Sequence, residues 1–138
     1  MESMTTEENC IFCKIVAGEV PATKIYEDDY SLAFLSIGPK APGHTLVIPK
    51  DHFENILGTP DETLCRTMLT AKKIALAVKN GLEPDGINIA MIGKDIPHFH
   101  IHVIPRDDSD ENQIDWPIKA YLPGEADDVA MKIKFAID

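Results

Sequence analysis

Apolar and polar positions alternate along His98-Phe99-His100-Ile101-His102-Val103-Ile104-Pro105. A period of two is that of a β-strand, whose i, i+2 and i+4 side chains share one face. The three histidines are therefore expected on one face, with Phe99, Ile101 and Val103 on the other, and Pro105 is expected to end the strand. Lys24-Ile25-Tyr26-Glu27 and Ser31-Leu32-Ala33-Phe34-Leu35 read as two strands around an Asp28-Asp29 turn. His44 to Lys50 and Gly86 to Ile92 read as two more. Helical spacing appears three times. Ile11, Phe12, Ile15 and Val16 fit a short helix stopped by Gly18. Thr59-Pro60-Asp61-Glu62 reads as a helix start, with Thr59 as cap and Glu62 completing a capping box. From there Leu64, Met68, Ala71, Ala75 and Val78 form a stripe that Asn80-Gly81 closes. Leu69 and Leu76 add apolar surface beside that stripe. A last helix opens at Glu125-Ala126-Asp127-Asp128 and buries Val129, Ala130 and Ile133.

Composition narrows the class. The chain has 138 residues, 44% of them hydrophobic and 26% charged, the make-up of a globular protein with a real core. No apolar run is long enough to span a membrane. The acidic stretch Met1 to Glu8 lacks the apolar segment of a signal peptide, so a cytoplasmic location is expected. Residues 1–9 read as a disordered lead and 10–138 as a single domain. The net charge of −10, with no basic cluster, argues against a nucleic-acid partner but not against a small nucleotide. Three cysteines, Cys10, Cys13 and Cys65, do not suggest a disulfide framework. Cys65 is expected to be a buried apolar residue within the long helix. The acidic run Asp107 to Glu111 reads as a solvated loop.

The histidine row carries the chemistry. A neutral imidazole has a lone pair that can attack an electrophile, bind a metal or accept a proton. A single strand histidine is usually only a surface group. Three crowded together gain nothing for folding and disfavour one another's protonation. A reactive or metal-binding site follows. Cys10-Ile11-Phe12-Cys13 admits three readings: a redox pair, half of a zinc site, or two buried thiols.

His-x-His-x-His followed by two apolar residues resembles the signature of the histidine triad (HIT) family. The run Pro42-Gly43-His44-Thr45-Leu46-Val47-Ile48-Pro49-Lys50, with His52 beyond it, is similar to the same family independently. The resemblance spans roughly residues 10–106. With the element pattern it implies an α+β fold: an antiparallel sheet of about five strands, one long helix, a short N-terminal helix and a C-terminal helix. It also implies a hydrolase acting on nucleotide phosphoramidates or related nucleotidyl compounds. His100 would attack the α-phosphorus, a covalent nucleotidyl-histidine would form, and water would release a nucleoside monophosphate. His102 would stabilise phosphate charge. By the same resemblance Ile11, Phe12, Ile15, Phe34, Leu35 and Ile37 would bound the base, and His44 would border the site, where the residue alone would read equally as a surface histidine. Zinc-binding members have the counterparts of Cys10, Cys13, His52 and His98, which implies a structural zinc. The long helix would form the family's homodimer.

Two departures stand out. Ser36 occupies a position where many relatives have an aspartate for the ribose hydroxyls, and a serine offers one oxygen only. Lys94 and Asp95 stand where relatives have a glutamine and a hydroxyl residue; Lys94 could give a phosphate a point charge. Two other functions stay open at this level: a nucleotidyl transferase, and a zinc-stabilised nucleotide-binding protein with little turnover. Trp116 falls where some relatives keep a tryptophan near the site.

Overall fold

The computed structural model describes residues 9–93, 96–107 and 120–137. Lys94, Asp95, Trp116, nearly all of the N-terminal lead and all but Asp107 of the acidic run lie outside them. Three helices and five strands follow in the order α1 (Ile11–Val16), β1 (Lys24–Glu27), β2 (Ser31–Leu35), β3 (Thr45–Pro49), α2 (Asp61–Leu82), β4 (Gly86–Ala90), β5 (Ile101–Arg106) and α3 (Glu125–Phe135). The strands form one antiparallel sheet in the order β1-β2-β3-β5-β4. The histidine strand thus lies inside the sheet, between β3 and the edge strand β4.

Both faces of the sheet are covered at its centre, so β2 and β3 are buried along their whole length. Ala33, Leu35, Val47, Phe99, Ile101 and Val103 point one way and pack on α2 and α3. Leu32, Phe34, Leu46 and Ile48 point the other way and pack on Phe12 and Ile15 of α1. Strict alternation sorts them, and the two cores meet at no residue. The Asp28 carboxylate makes the β1–β2 turn by accepting from the Tyr30 and Ser31 amides, each at 2.8 Å. No described helix is long and apolar enough to cross a membrane.

Several sequence expectations shift. The N-cap of α2 is Pro60, and no side chain caps it. The Thr59 hydroxyl donates to the Asn55 carbonyl at 2.8 Å instead, and Glu62 faces Arg66 at 3.6 Å. The buried face of α2 runs through Thr67, Thr70, Ala71, Ile74, Ala77 and Val78, with Leu64, Met68 and Ala75 at its margin. Cys65 is exposed rather than buried. Asn80-Gly81 does not close the helix, which continues to Leu82 and is capped by Glu83 in the left-handed region, φ 56°. Gly81 is there for packing: a Cβ on it would lie 2.5 Å from the Lys132 carbonyl oxygen of α3.

The histidine strand is shorter than its alternation suggests. It begins at Ile101, and Pro105 lies within it. The β3 ladder stops at Val103, so Pro105 sits where β5 is paired on one side only. A residue without an N–H is tolerated there. His98, Phe99 and His100 precede the strand, held by the Phe99 amide on the Phe53 carbonyl at 2.6 Å.

Candidate active site and metal centre

Cys10 and Cys13 flank the first turn of α1. Cys10 is its N-cap, and its Sγ accepts from the Cys13 amide at 3.3 Å, which turns both sulfurs to one side. His52, just past β3, and His98, just before β5, bring two imidazoles to the same point. Cys10 Sγ lies 3.3 Å from His98 Nδ1; Cys13 Sγ lies 3.3 Å from His52 Nδ1 and 3.6 Å from His98 Nδ1. All four ligand atoms fall within 4.8 Å of one another. A tetrahedral zinc with ordinary bond lengths separates its sulfur and nitrogen ligands by roughly 3.5 Å, so the set fits such an ion. His98 is fully buried and its Nε2–H donates to the Pro49 carbonyl at 2.9 Å. That bond fixes the tautomer and leaves the Nδ1 lone pair toward the sulfurs. Burial pushes the His98 pKa down to about 4, helped by His52 and His100 and opposed by the Pro49 acceptor.

The second group of histidines stands beside the first. His100 donates from Nδ1 to the His98 carbonyl at 2.7 Å. A carbonyl only accepts, so the proton is on Nδ1 and the lone pair on Nε2. Phe12 meets this ring edge-on, with centroids 5.3 Å apart. Next to it, 4.9 Å between centroids, is His102.

A chain of two hydrogen bonds sets the His102 tautomer. The Lys40 amide donates to His44 Nδ1 at 3.0 Å, so the His44 proton is on Nε2. His44 Nε2 lies 2.9 Å from His102 Nδ1 and donates to it. The His102 proton is then on Nε2. The register explains the meeting, since Leu46 lies opposite His102 and His44 is two residues before it on the same face. His44 is buried, and its pKa is pushed down to about 3, first by desolvation and then by His102, Lys40 and His100. The two adjacent rings therefore differ: His100 offers a lone pair and His102 an N–H.

The remaining expected site residues scatter. Phe12, Ile15 and Phe34 share one buried cluster beside His100. Ile11 is 44% exposed and Ile37 is 96% exposed, the latter in the loop after β2. Leu35 packs in the core against α2, on the sheet face opposite Phe34. The Ser36 hydroxyl accepts from the Gly38 amide at 3.3 Å, within its own loop. A small cavity of about 20 Å³ lies against His98, Phe99 and His100, walled by Glu54, Ile56, Met91 and Gly93. Neither those walls nor the backbone partners at Lys40 and Pro49 carry a mark in the sequence.

A family model for the HIT domain matches residues 17–109. The chain belongs to the HIT family. Adenosine 5'-monophosphoramidase HNT1 of Saccharomyces cerevisiae is 41% identical to this HIT protein over 118 residues, 82% of the chain and 73% of the relative. Among solved structures, a Hit-like protein from Bartonella henselae is similar with a TM-score of 0.85 at 36% identity, covering 96% of this chain and all of that one. A Zn-bound histidine triad family protein from Mycobacterium smegmatis has a TM-score of 0.81 at 34% identity, covering 93% of this chain and 92% of that one.

Proposed function

We propose that this HIT protein hydrolyses nucleotide phosphoramidates or similar nucleotidyl compounds through a covalent nucleotidyl-His100. The observation that carries the reading is the pair of unlike tautomers on neighbouring rings, His100 and His102. His100 Nε2 attacks the α-phosphorus, and the bond to the leaving amine breaks as that amine takes a proton from solvent. The imidazole becomes cationic, and its Nδ1–H bond to the His98 carbonyl strengthens with the charge. His102 Nε2–H donates to a non-bridging phosphate oxygen, where negative charge gathers. Water then attacks phosphorus, the bond to His100 breaks, and a nucleoside monophosphate leaves. Phe12, Ile15 and Phe34 supply apolar surface for the base, with Ile11 and Ile37 at its rim. Such walls select little between bases. His44 acts by orienting His102, and Lys94 stays a candidate phosphate contact from sequence resemblance alone.

The name of the yeast relative supports the substrate class. Zinc, held by Cys10, Cys13, His52 and His98, would be structural, because four protein ligands close a tetrahedral site. A second copy of the chain is the proposed macromolecular partner. The exposed Leu69 and Leu76 on α2 give it apolar surface, and sedimentation of a Leu76→Glu variant tests it.

Turnover of adenosine phosphoramidate by the wild-type chain and by His100→Ala tests the reading. Loss of a nucleophile lowers kcat by about 10⁴-fold or more. Tight nucleotide binding without turnover would instead favour the binding-protein reading, and transfer to an added acceptor the transferase reading.

A further inference from the structure

We infer that loading of the Cys10–Cys13–His52–His98 centre sets the ring tautomer and position of His100. The inference rests on the proposed nucleophile role of His100 and adds a control over it. His98 is common to both groups. Its Nδ1 faces the two sulfurs, its Nε2–H is tied to Pro49, and its carbonyl holds the His100 proton. The segment His98 to His100 precedes the β5 ladder, so sheet pairing does not orient that carbonyl. Two backbone bonds, from His98 to Ile96 and from Phe99 to Phe53, and the anchored His98 side chain do.

A second contact runs the same way. Phe12 sits between the two cysteines in sequence, and its ring meets His98 at 5.8 Å and His100 at 5.3 Å between centroids. Helix α1 has six residues, too few to hold its shape alone. Its first turn carries two of the four ligands. An ion at the centre ties α1, the β3 exit at His52 and the β5 entry at His98 to one point. Two supports of the His100 ring, the His98 carbonyl and the Phe12 edge, are then fixed together, while His102 on β5 meets it from the sheet. With the ligands released, each support gains freedom, and His100 Nδ1–H loses its single acceptor geometry. Cys10, Cys13 and His52 are positioning residues in this scheme. None of them touches the reacting atoms.

The test uses the full chain with Zn²⁺ bound, the same chain stripped by chelation, and the variants His52→Ala and His52→Cys. Long-range ¹H–¹⁵N spectra read the His100 ring nitrogens, and kinetics on adenosine phosphoramidate read kcat and KM separately. The zinc-loaded protein is expected to show one His100 tautomer, with the proton on Nδ1. Stripping, or His52→Ala, is expected to average the two nitrogen shifts and to lower kcat by about 10–100-fold, with KM changing less. His52→Cys keeps a four-ligand set and is expected to restore both readouts. Unchanged His100 shifts in a folded, zinc-free protein would overturn the inference. So would global unfolding on zinc loss, which would assign the ion to the whole fold. A tautomer change without turnover in any form would support the coupling while removing the hydrolase reading.

Discussion

His44 and His102 share one proton across 2.9 Å, and the Lys40 amide decides which ring holds it. The backbone N–H fills His44 Nδ1, so His44 must donate from Nε2, and His102 must keep its own proton on the far nitrogen. A main-chain group thereby sets the polarity of the His102 ring through one intervening side chain.

Replacing His44 removes the donor and leaves His102 Nδ1 without its partner. His102 is half-buried, so an acceptor left unpaired there costs about 1 kcal/mol, the low end for such groups, or roughly 5-fold in rate when the ring acts in the transition state. His44→Ala is expected to lower kcat by that amount, with a smaller change in KM. Steady-state kinetics on a folded variant check it.

The low pKa of His44, about 3, makes stability depend on pH. The unfolded chain binds this proton near pH 6.5, while the folded chain refuses it until about pH 3. The contribution is therefore complete above pH 6.5 and is lost as pH falls from 6.5 toward 3. The loss is up to about 1.4 kcal/mol per pH unit for one fully buried ring. Urea midpoints are expected to fall between pH 7 and pH 5, and the His44 ring nitrogens to show no titration over that range.

The Cys₂His₂ set is expected to hold one zinc per chain. Elemental analysis of purified protein reads this directly, and Cys13→Ser is expected to lose most of the metal. Zinc binding only the folded chain raises stability by about 4 kcal/mol at a thousandfold excess over its Kd. Chelation is expected to lower the Tm accordingly, and an equally stable metal-free sample would contradict this.

Gly81 separates propensity from packing. In an exposed helix, Gly→Ala stabilises by about 1 kcal/mol. Here the new methyl would lie 2.5 Å from the Lys132 carbonyl of α3. Overpacking of this kind costs about 1–3 kcal/mol, so Gly81→Ala is expected to destabilise the protein in denaturant titration.

Much of the fold is legible in the sequence because it depends on spacing. Alternation placed Phe99, Ile101 and Val103 in one core and sent His100 and His102 the other way. Cys10 and Cys13 converge with His52 and His98, distant in sequence, into one cluster that could hold a metal ion. Other features depend on tertiary contacts that no local pattern encodes. Gly81 reads as a helix stop because its reason lies on α3. Thr59 reads as a cap, yet its hydroxyl goes to Asn55. Leu35 reads with Phe34, although adjacent strand residues face opposite cores. The tautomers of His98, His102 and His44 depend on Pro49 and Lys40 backbone groups, which are chemically silent in a sequence.

The proposed nucleotidyl-His100 is tested most directly by trapping it. Protein mixed with adenosine phosphoramidate is quenched in alkaline denaturant within the first turnovers, digested and mapped by mass spectrometry. A nucleotidyl adduct is expected on His100, absent from His100→Ala. Rapid turnover with no adduct on any histidine, or with the adduct on His98 or His102, would contradict it.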